Sequence, residues 1–373
     1  MGVAAPVDTH VAAAGLLPVG VAPRQFRSGW VKRASLPGAL KDCSLIVPTY
    51  ARPKEIIPLL AVLGQFRQPP VEIIVVDGSP TADTAHAITT WAKTRPLAFD
   101  LLYVKSPRGL TRQRNVGIDA SRGDYIFFLD DDCLPQPGYF EEIRDVFRAD
   151  LAGKIGAVCG AIVNEMGKTP CLRWRLRFAL GLAPRGEPGR YYHFGSSVPG
   201  DCVPLFHGTR PLDILSGCAM AFRRAVLERE RFSEFFDGYS QGEDMEISLR
   251  VGRNWQLVRC GNAHAIHHHV PGGRPDALAK GRMEVRNRFF IWKRYSPEAR
   301  LRDRCRFWLD ILFIFTCDLA SFVCHPRQRT DLSHACGVAA GALSCLAMPP
   351  RYDEPPARRE NTFELDAFES HRA

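Results

Sequence analysis

The stretch Tyr125-Ile126-Phe127-Phe128-Leu129-Asp130-Asp131-Asp132 decides how this chain is read. Five apolar residues in succession describe a short strand buried on both faces. The three carboxylates that follow then stand where the strand leaves its sheet, the margin at which open α/β folds bind ligands. Adjacent carboxylates repel one another and lose hydration there unless a cation compensates them. In an extended chain Asp130 and Asp132 point the same way, so both can address one hard divalent ion, which in turn attracts a phosphate. The same residues also suit a helix N-cap and solvated turn, with Pro135 and Pro137 opening a helical stretch.

Working outward, residues 43–48, 71–76 and 99–104 are further apolar runs, and 156–163 is a fifth. Residues 53–66, 84–93 and 110–121 lie between them with helical spacing; Ile56, Leu59, Leu60 and Leu63 share one side of the first. Strand-helix units of this length favour right-handed parallel crossovers. The expectation is an α/β fold, a Rossmann-like and mostly parallel sheet flanked by helices. Residues 171–210, rich in Arg, Gly, Pro and aromatics, read as a loop. Residues 213–222 return to the sheet, Glu243–Val251 is helical, 255–259 is a short strand and 280–294 a basic amphipathic helix. The simplest division is a disordered leader over 1–41, one catalytic domain over 42–295, a C-terminal helical appendage over 296–350 and a flexible tail over 351–373.

Bulk properties narrow the partners. The 373 residues suffice for a sizeable core, and 46% apolar with 24% charged residues is ordinary for a globular protein. A net charge of +9 suits sugar nucleotides, phospholipid surfaces or nucleic acid without choosing among them. The 12 cysteines form no C-x-x-C pair, which argues against a zinc ribbon or a disulfide framework and fits a reducing cytosol. Residues 1–41 lack a basic segment followed by a sustained apolar block, so they read as a leader and not a signal peptide. Residues 311–324 are apolar but carry Asp318, and 335–350 are short and rich in small residues. A spanning helix wants ~20 apolar residues, so each reads as a buried core helix or an interfacial one, the first preceded by Arg302, Arg304 and Arg306.

Other strand ends should converge on the same margin. Thr49, Tyr50 and Arg52 follow the first strand, where Arg52 can neutralise phosphate or cap a helix. Asp77-Gly78-Ser79 follow the second, a carboxylate able to accept from a nucleobase or ribose, or else a plain turn. Gly109 breaks the chain ahead of a helix that carries Arg114 and Asn115 near its positive end, suited to a diphosphate or ribose, or to solvent. Gly242-Glu243-Asp244 open another helix as dipole partners or as a general base on a cleft-facing element. His267, His268 and His269 precede Gly272-Gly273-Arg274; one imidazole can complete a coordination begun by Asp132, and the glycines suit a segment that closes over a diphosphate.

In order and spacing these pieces resemble family-2 glycosyltransferases of the GT-A fold. The matching stretches are Ile46 through Arg52, Ile74 through Ser79, Gly109 through Gly117, Gly123 through Asp132, Ser216-Gly217 with Phe222-Arg223-Arg224, and Gly242-Glu243-Asp244, which together cover roughly residues 43–295. The resemblance implies inverting transfer of a hexosyl unit from a nucleotide-diphosphate sugar to a saccharide, glycolipid or envelope polysaccharide, with Mg2+ or Mn2+ and without nucleic acid. By position it places Pro48, Thr49, Tyr50 and Arg52 around the nucleotide, Asp77 on the base, Gly109, Arg114 and Asn115 at the ribose or diphosphate, and Asp130 and Asp131 at the donor. Asp130 and Asp132 become the D-x-D metal pair with His267 and His269 as further ligands, Asp244 the base and Glu243 its neighbour. The chain lacks the Q-x-x-R-W of processive polymer synthases, which points to single-sugar transfer at the cytoplasmic side, with peripheral membrane contact. Two other classes compete: a sugar-nucleotide-forming nucleotidyltransferase, disfavoured because no glycine-rich loop follows Pro48, and a non-catalytic sugar-nucleotide-binding scaffold.

Overall fold

The computed structural model describes residues 25–26, 29–184, 186–198, 203–351, 362–363 and 366–368. Its centre is an eleven-stranded sheet. Across it the strands run Thr209–Leu212, Gln256–His267, Ile155–Ile162, Ala219–Arg223, Tyr125–Leu129, Leu40–Thr49, Pro70–Asp77, Asp100–Lys105, Gly29–Lys32 and Asp366–Ala367, with Cys133–Pro135 pairing onto Gln256–His267. The block from Tyr125–Leu129 to Asp100–Lys105 is parallel, so Thr49, Asp77 and Leu129 end at one margin.

These strands are apolar throughout because both faces are covered. Period-two alternation sorts their side chains. Leu45, Val47, Ile73, Val75, Phe127 and Leu129 pack on one face against Ile56, Leu60, Phe140 and Ile143 of the helices Pro53–Leu63 and Tyr139–Ala149. Ile46, Ile74, Val76, Ile126 and Phe128 pack on the other against Val116 of Leu110–Ala120, Phe232, and Ile247 of Glu243–Val251.

Ala219–Arg223 enters this sheet antiparallel to both neighbours, with Ala219 opposite Leu129. Its leading residues Gly217 and Cys218 are thereby delivered to the carboxyl-terminal margin, where the Cys218 carbonyl accepts from Asp130 N–H at 3.1 Å.

Several expectations change on folding. The segment 171–210, expected as a loop, contains the helix Leu172–Ala179 and a small hairpin of Tyr191–Tyr192 with Ser196–Ser197. Leu172, Leu176 and Leu180 do recur there at helical spacing, a signal masked by the surrounding Arg, Gly and Pro; the helix buries none of its residues, and Arg177 binds Asp310 at 2.6 Å. The strand expected over 255–259 runs on to His267 because Cys133–Pro135 gives its far end a partner. Of the expected leader, residues 1–24 lie outside the described residues, whereas Gly29–Lys32 is a strand paired with Asp100–Lys105. In the expected tail, Asp366–Ala367 pairs with Trp30 and Val31, and most other positions lie outside the described residues.

Three helices, Ala277–Tyr295, Leu301–Cys324 and Arg329–Ala347, pack around Val285, Phe289, Trp292, Phe307, Ile311, Ile314 and Val338. A division at residue 295 therefore crosses one helical core. Phe290 and Ile291, on another side of the first helix, join Phe236 and tie the unit to the sheet domain. Leu301–Cys324 is long and apolar enough to cross a membrane, with mean hydropathy 1.8 over 18 residues. Its Asp310 and Asp318 are nevertheless buried in the helical unit, against Arg177 and Arg288 and against Arg173 and His334.

Candidate active site

The strand ends and the loops after Gln256–His267 and before Glu243–Val251 enclose a cleft of about 440 Å³. It brings together Pro48, Thr49, Tyr50, Arg52, Gly109 and Arg114 with Asp130, Asp131, Glu243, Asp244, His267 and His269.

The triple aspartate is not extended. Asp131 and Asp132 form a turn closed by Cys133 N–H donating to the Asp130 carbonyl at 3.0 Å. The three carboxylates separate in role accordingly. Asp131 turns inward, accepting from Thr49 Oγ1 at 2.7 Å and Arg52 Nη1 at 2.8 Å. Burial pushes it up to about 6 despite Arg52. Asp132 accepts from Val270 N–H at 2.8 Å and meets His267 Nε2 at 3.3 Å. Burial would raise it, but His267, that N–H and Arg52 together hold it down at about 2. Half-buried Asp130 has Arg114, at 3.5 Å, as its one salt-bridge partner among the described residues, and burial raises its pKa.

His267 reaches this group because register forces it there: it pairs with Cys133, next to Asp132. One ligand atom each from Asp130, Asp132 and His267 lie within 4.8 Å of one another. A second set, Glu165, His267 and His269, meets the same distance, with His269 Nε2 2.6 Å from Glu165. Hydrogen bonds to Asp132, Cys218 and Glu165 outweigh burial and push His267 up to about 12, the response of an imidazole set among anions. His268 is exposed, and His264 bonds the Gly261 carbonyl.

Arg114 links the aspartates to the second acidic pair. Its Nη1 donates to Glu243 at 2.7 Å and its Nη2 to the Gly217 carbonyl at 2.8 Å, next to Asp130. Burial and the neighbouring Asp244 push Glu243 up to about 8. Asp244 accepts from Met245 N–H at 2.8 Å and Gly217 N–H at 3.3 Å, and burial raises it as well. Only a glycine fits at 217, since a Cβ there would stand 2.9 Å from that of Asp244. Gly109, at φ 137°, occupies backbone space closed to other residues and turns the chain into Leu110–Ala120.

Two expected ligand contacts are not where the motifs suggested. Asn115 is buried away from the cleft, its amide spanning the Phe232 backbone at 2.9 and 3.0 Å. A helix side chain of this kind points wherever the helix phase sends it, and here that is inward. Asp77 is fully buried and does not line the cleft; it accepts from Tyr103 Oη and Ser79, with Lys105 3.5 Å away. Ser79 Oγ in turn accepts from Ala51 N–H at 2.7 Å, so Asp77 acts by holding the Tyr50–Arg52 turn, where Ala51 has φ 53°.

Sequence reasoning missed Glu165, Gln113, Arg108 and Cys218, all of which line the cleft. Glu165 follows the strand Ile155–Ile162, so the same strand-end rule that singled out Asp130 would have found it. Gln113 carried no such signal; its Nε2 joins the Thr49 and Val76 carbonyls at 2.8 and 2.7 Å. Gly272 and Gly273 line the cleft too, with Arg52 donating to the Gly272 carbonyl at 2.5 Å.

The family model described as Glycosyl transferase family 2 matches residues 44–230. An uncharacterized glycosyltransferase of Haemophilus influenzae is 31% identical over 103 residues, 28% of this chain and 33% of its own. The succinoglycan biosynthesis protein ExoM of Rhizobium meliloti is 28% identical over 142 residues, 37% of this chain and 44% of its own. The chain thus spans less than half the length of these curated relatives. The mannosyltransferase PcManGT from Pyrobaculum calidifontis, solved with GDP-Man and Mn2+, superposes with TM-score 0.48 at 17% identity, over 84% of this chain and 89% of that one.

Proposed function

This chain belongs to glycosyl transferase family 2, and on that premise we propose that it moves one sugar from a nucleoside-diphosphate donor to an acceptor hydroxyl, with inversion at the anomeric carbon. The observation that carries the reading is the double engagement of Arg114, 2.7 Å from Glu243 and 3.5 Å from Asp130. It holds a cation-ready strand end and a second carboxylate pair in one cleft, the two functions that sugar transfer needs.

Asp130, Asp132 and His267 would hold Mg2+ or Mn2+. The fit rests on their mutual approach within 4.8 Å and on two carboxylates among the three ligands; His267, an imidazolium while only anions surround it, would release its proton on ligating the cation. When bound, the cation supplies Lewis-acid charge to a departing diphosphate. His269 and Glu165 flank that set and orient His267. Asp131 keeps Thr49 and Arg52 in place beneath the donor. Pro48, Tyr50 and Gly109 border the nucleotide, with the Arg108 guanidinium 4.3 Å from the Tyr50 ring centre.

Asp244 takes the proton of the acceptor hydroxyl. Its raised pKa makes it a stronger base than an exposed aspartate. Glu243 is a positioning residue that fixes Arg114. Catalysis is assigned to residues 42–295, of which the helix Ala277–Tyr295 is shared with the helical unit that continues through 296–350 and rests on a membrane surface from the cytoplasmic side. The acceptor is a saccharide, glycolipid or polysaccharide; the relative named for succinoglycan biosynthesis supports this class.

A panel of UDP-, GDP- and dTDP-sugars with Mn2+, scored by nucleotide release, tests the proposal. One donor should release nucleotide well above the buffer rate, in an acceptor-stimulated manner. Release at the buffer rate across the panel, with folded protein and mixed saccharide acceptors, overturns it.

A further inference from the structure

His267 stands between two sets of ligand atoms, and its ring nitrogens face different ways. Nε2 lies 3.3 Å from Asp132, on the side of the donor-cation set. Nδ1 lies 3.2 Å from Glu165. Glu165 in turn is 2.6 Å from His269 Nε2, and the two imidazole rings stand 3.9 Å apart between centres. Glu165, His267 and His269 thus gather one oxygen and two nitrogens within 4.8 Å, and all three residues line the cleft.

The backbone holds this gathering in place. Asn164 Oδ1 accepts from His267 N–H at 3.1 Å and its Nδ2 donates to the His267 carbonyl at 2.7 Å. That double bond locks the loop after Ile155–Ile162 to the end of Gln256–His267, which fixes the spacing of Glu165 from the ring. His269 adopts φ 53°, in the left-handed region that is unfavourable for a residue with a side chain, and its ring lies beside that of His267. His334 shows an imidazole among acids without such a set. Asp318 meets its Nδ1 at 2.7 Å and Glu284 its Nε2 at 3.5 Å, and no second imidazole joins them among the described residues.

Two imidazoles and one carboxylate are the donor set of a borderline ion such as Zn2+, whereas Mg2+ and Mn2+ favour the oxygens of Asp130 and Asp132. Tetrahedral ligands on bonds of ~2.1 Å stand about 3.4 Å apart. Glu165 and His267 are close to that spacing already. His269, its side chain 51% exposed, is free to open from its present hydrogen bond to Glu165. With Nδ1 on the ion, His267 keeps an Nε2–H for Asp132, the carboxylate support that metal-bound histidines commonly have.

We propose that Glu165, His267 and His269 form a Zn2+ site separate from the donor-cation site, and that the two sites compete for His267. A neutral imidazole has one lone pair. Given to Zn2+ through Nδ1, it leaves an N–H facing Asp132; given to the donor cation through Nε2, it leaves an N–H facing Glu165. Zn2+ therefore inhibits by withdrawing a ligand from the donor site. The existence of the Zn2+ site does not depend on the transferase reading, and the inhibition rests on it.

Calorimetric titration of the metal-free full chain with Zn2+ and with Mn2+, without donor, tests the site. Zn2+ should bind at least tenfold more tightly than Mn2+. Glu165→Gln, nearly isosteric, and His269→Ala, at an exposed side chain, should each weaken Zn2+ at least tenfold, whereas Asp130→Asn should leave it within threefold. In 15N spectra of histidine-labelled protein, Zn2+ should load His267 at Nδ1 and leave Nε2 protonated. Mn2+-dependent nucleotide release should fall on adding Zn2+ and recover with excess Mn2+, and His269→Ala should need at least tenfold more Zn2+ for the same fall. Zn2+ affinity that survives in Glu165→Gln and His269→Ala but is lost in Asp130→Asn puts the ion at the donor site and overturns the proposal. So does Zn2+ binding no tighter than Mn2+, and Zn2+ on Nε2 overturns the competition. If Zn2+ binds as expected while the donor panel gives no nucleotide release, the transfer reading fails and the zinc site stands.

Discussion

The catalytic cleft and the C-terminal helical unit both bury carboxylates, and they treat them in opposite ways. In the helical unit Asp310 is held by Arg177 and Arg288, each at 2.6 Å, and Asp318 by Arg173 and His334. Those acids are neutralised by the protein itself. In the cleft, Asp130 and Asp244 keep raised pKa values, and Glu243 rises to about 8 although Arg114 touches it. Four acids there share Arg52 and Arg114, and Arg52 is mostly committed to Asp131 and to two carbonyls. Unbalanced burial is costly to a fold, so it persists where something else brings the missing charge or proton. The contrast separates acids that hold the structure from acids to which the proposed transfer is assigned.

The largest expected effect falls on the working side. Asp244→Asn should lower turnover by about 10²–10⁴ while leaving donor affinity in place, as removal of a general base does. Donor titration beside initial rates checks this; a variant with near-normal turnover breaks the assignment. Next comes the structural side. Asp310→Ala leaves the half-buried Arg177 without its carboxylate and Arg288 with Glu284 at 4.0 Å, and should cost about 3 kcal/mol in urea unfolding, with donor affinity per folded molecule unchanged. A small stability change would erase the distinction drawn above.

Asp132→Ala should abolish the gain in donor affinity brought by Mn2+, a loss of about 10–100-fold or more, since disturbing even outer-shell support costs that much. Wild-type affinity that is the same with and without Mn2+ removes the metal role. The smallest effect concerns pH. Hydrogen bonds to Asp318 and Glu284 push His334 up to about 9 from its ordinary 6.5. A raised imidazole stabilises the folded state fully below 6.5 and loses that contribution as pH climbs through about 9. The Tm of the wild type should therefore fall by about 2–4 °C more than that of His334→Gln over this window. Parallel Tm profiles would show that His334 is not charged in the fold.

Chain order alone carried much of this. The alternation of apolar runs and helical spacing is local, and it placed the strands Leu40–Thr49, Pro70–Asp77 and Tyr125–Leu129 within a few residues of where they stand. Strand ends that are carboxylate-rich are legible because a buried parallel strand leaves only one place for a polar group to go, its end. What the order of residues does not encode is which way a polar side chain turns once it gets there. Asp77 and Asp130 both follow apolar strands, yet Tyr103, Ser79 and Lys105 enclose the first and the cleft receives the second. Asn115 and Arg114 are neighbours on one helix, and a rotation of one residue sends the amide to the Phe232 backbone and the guanidinium to Glu243. His267 stands beside Asp132 only because Cys133–Pro135 pairs with a strand more than a hundred residues away. Pattern along the chain thus decided which elements form and where charge collects, since both follow from short-range periodicity and burial. The pairing of distant strands decided which charges meet, because register and helix phase are set by packing partners that the local sequence does not contain.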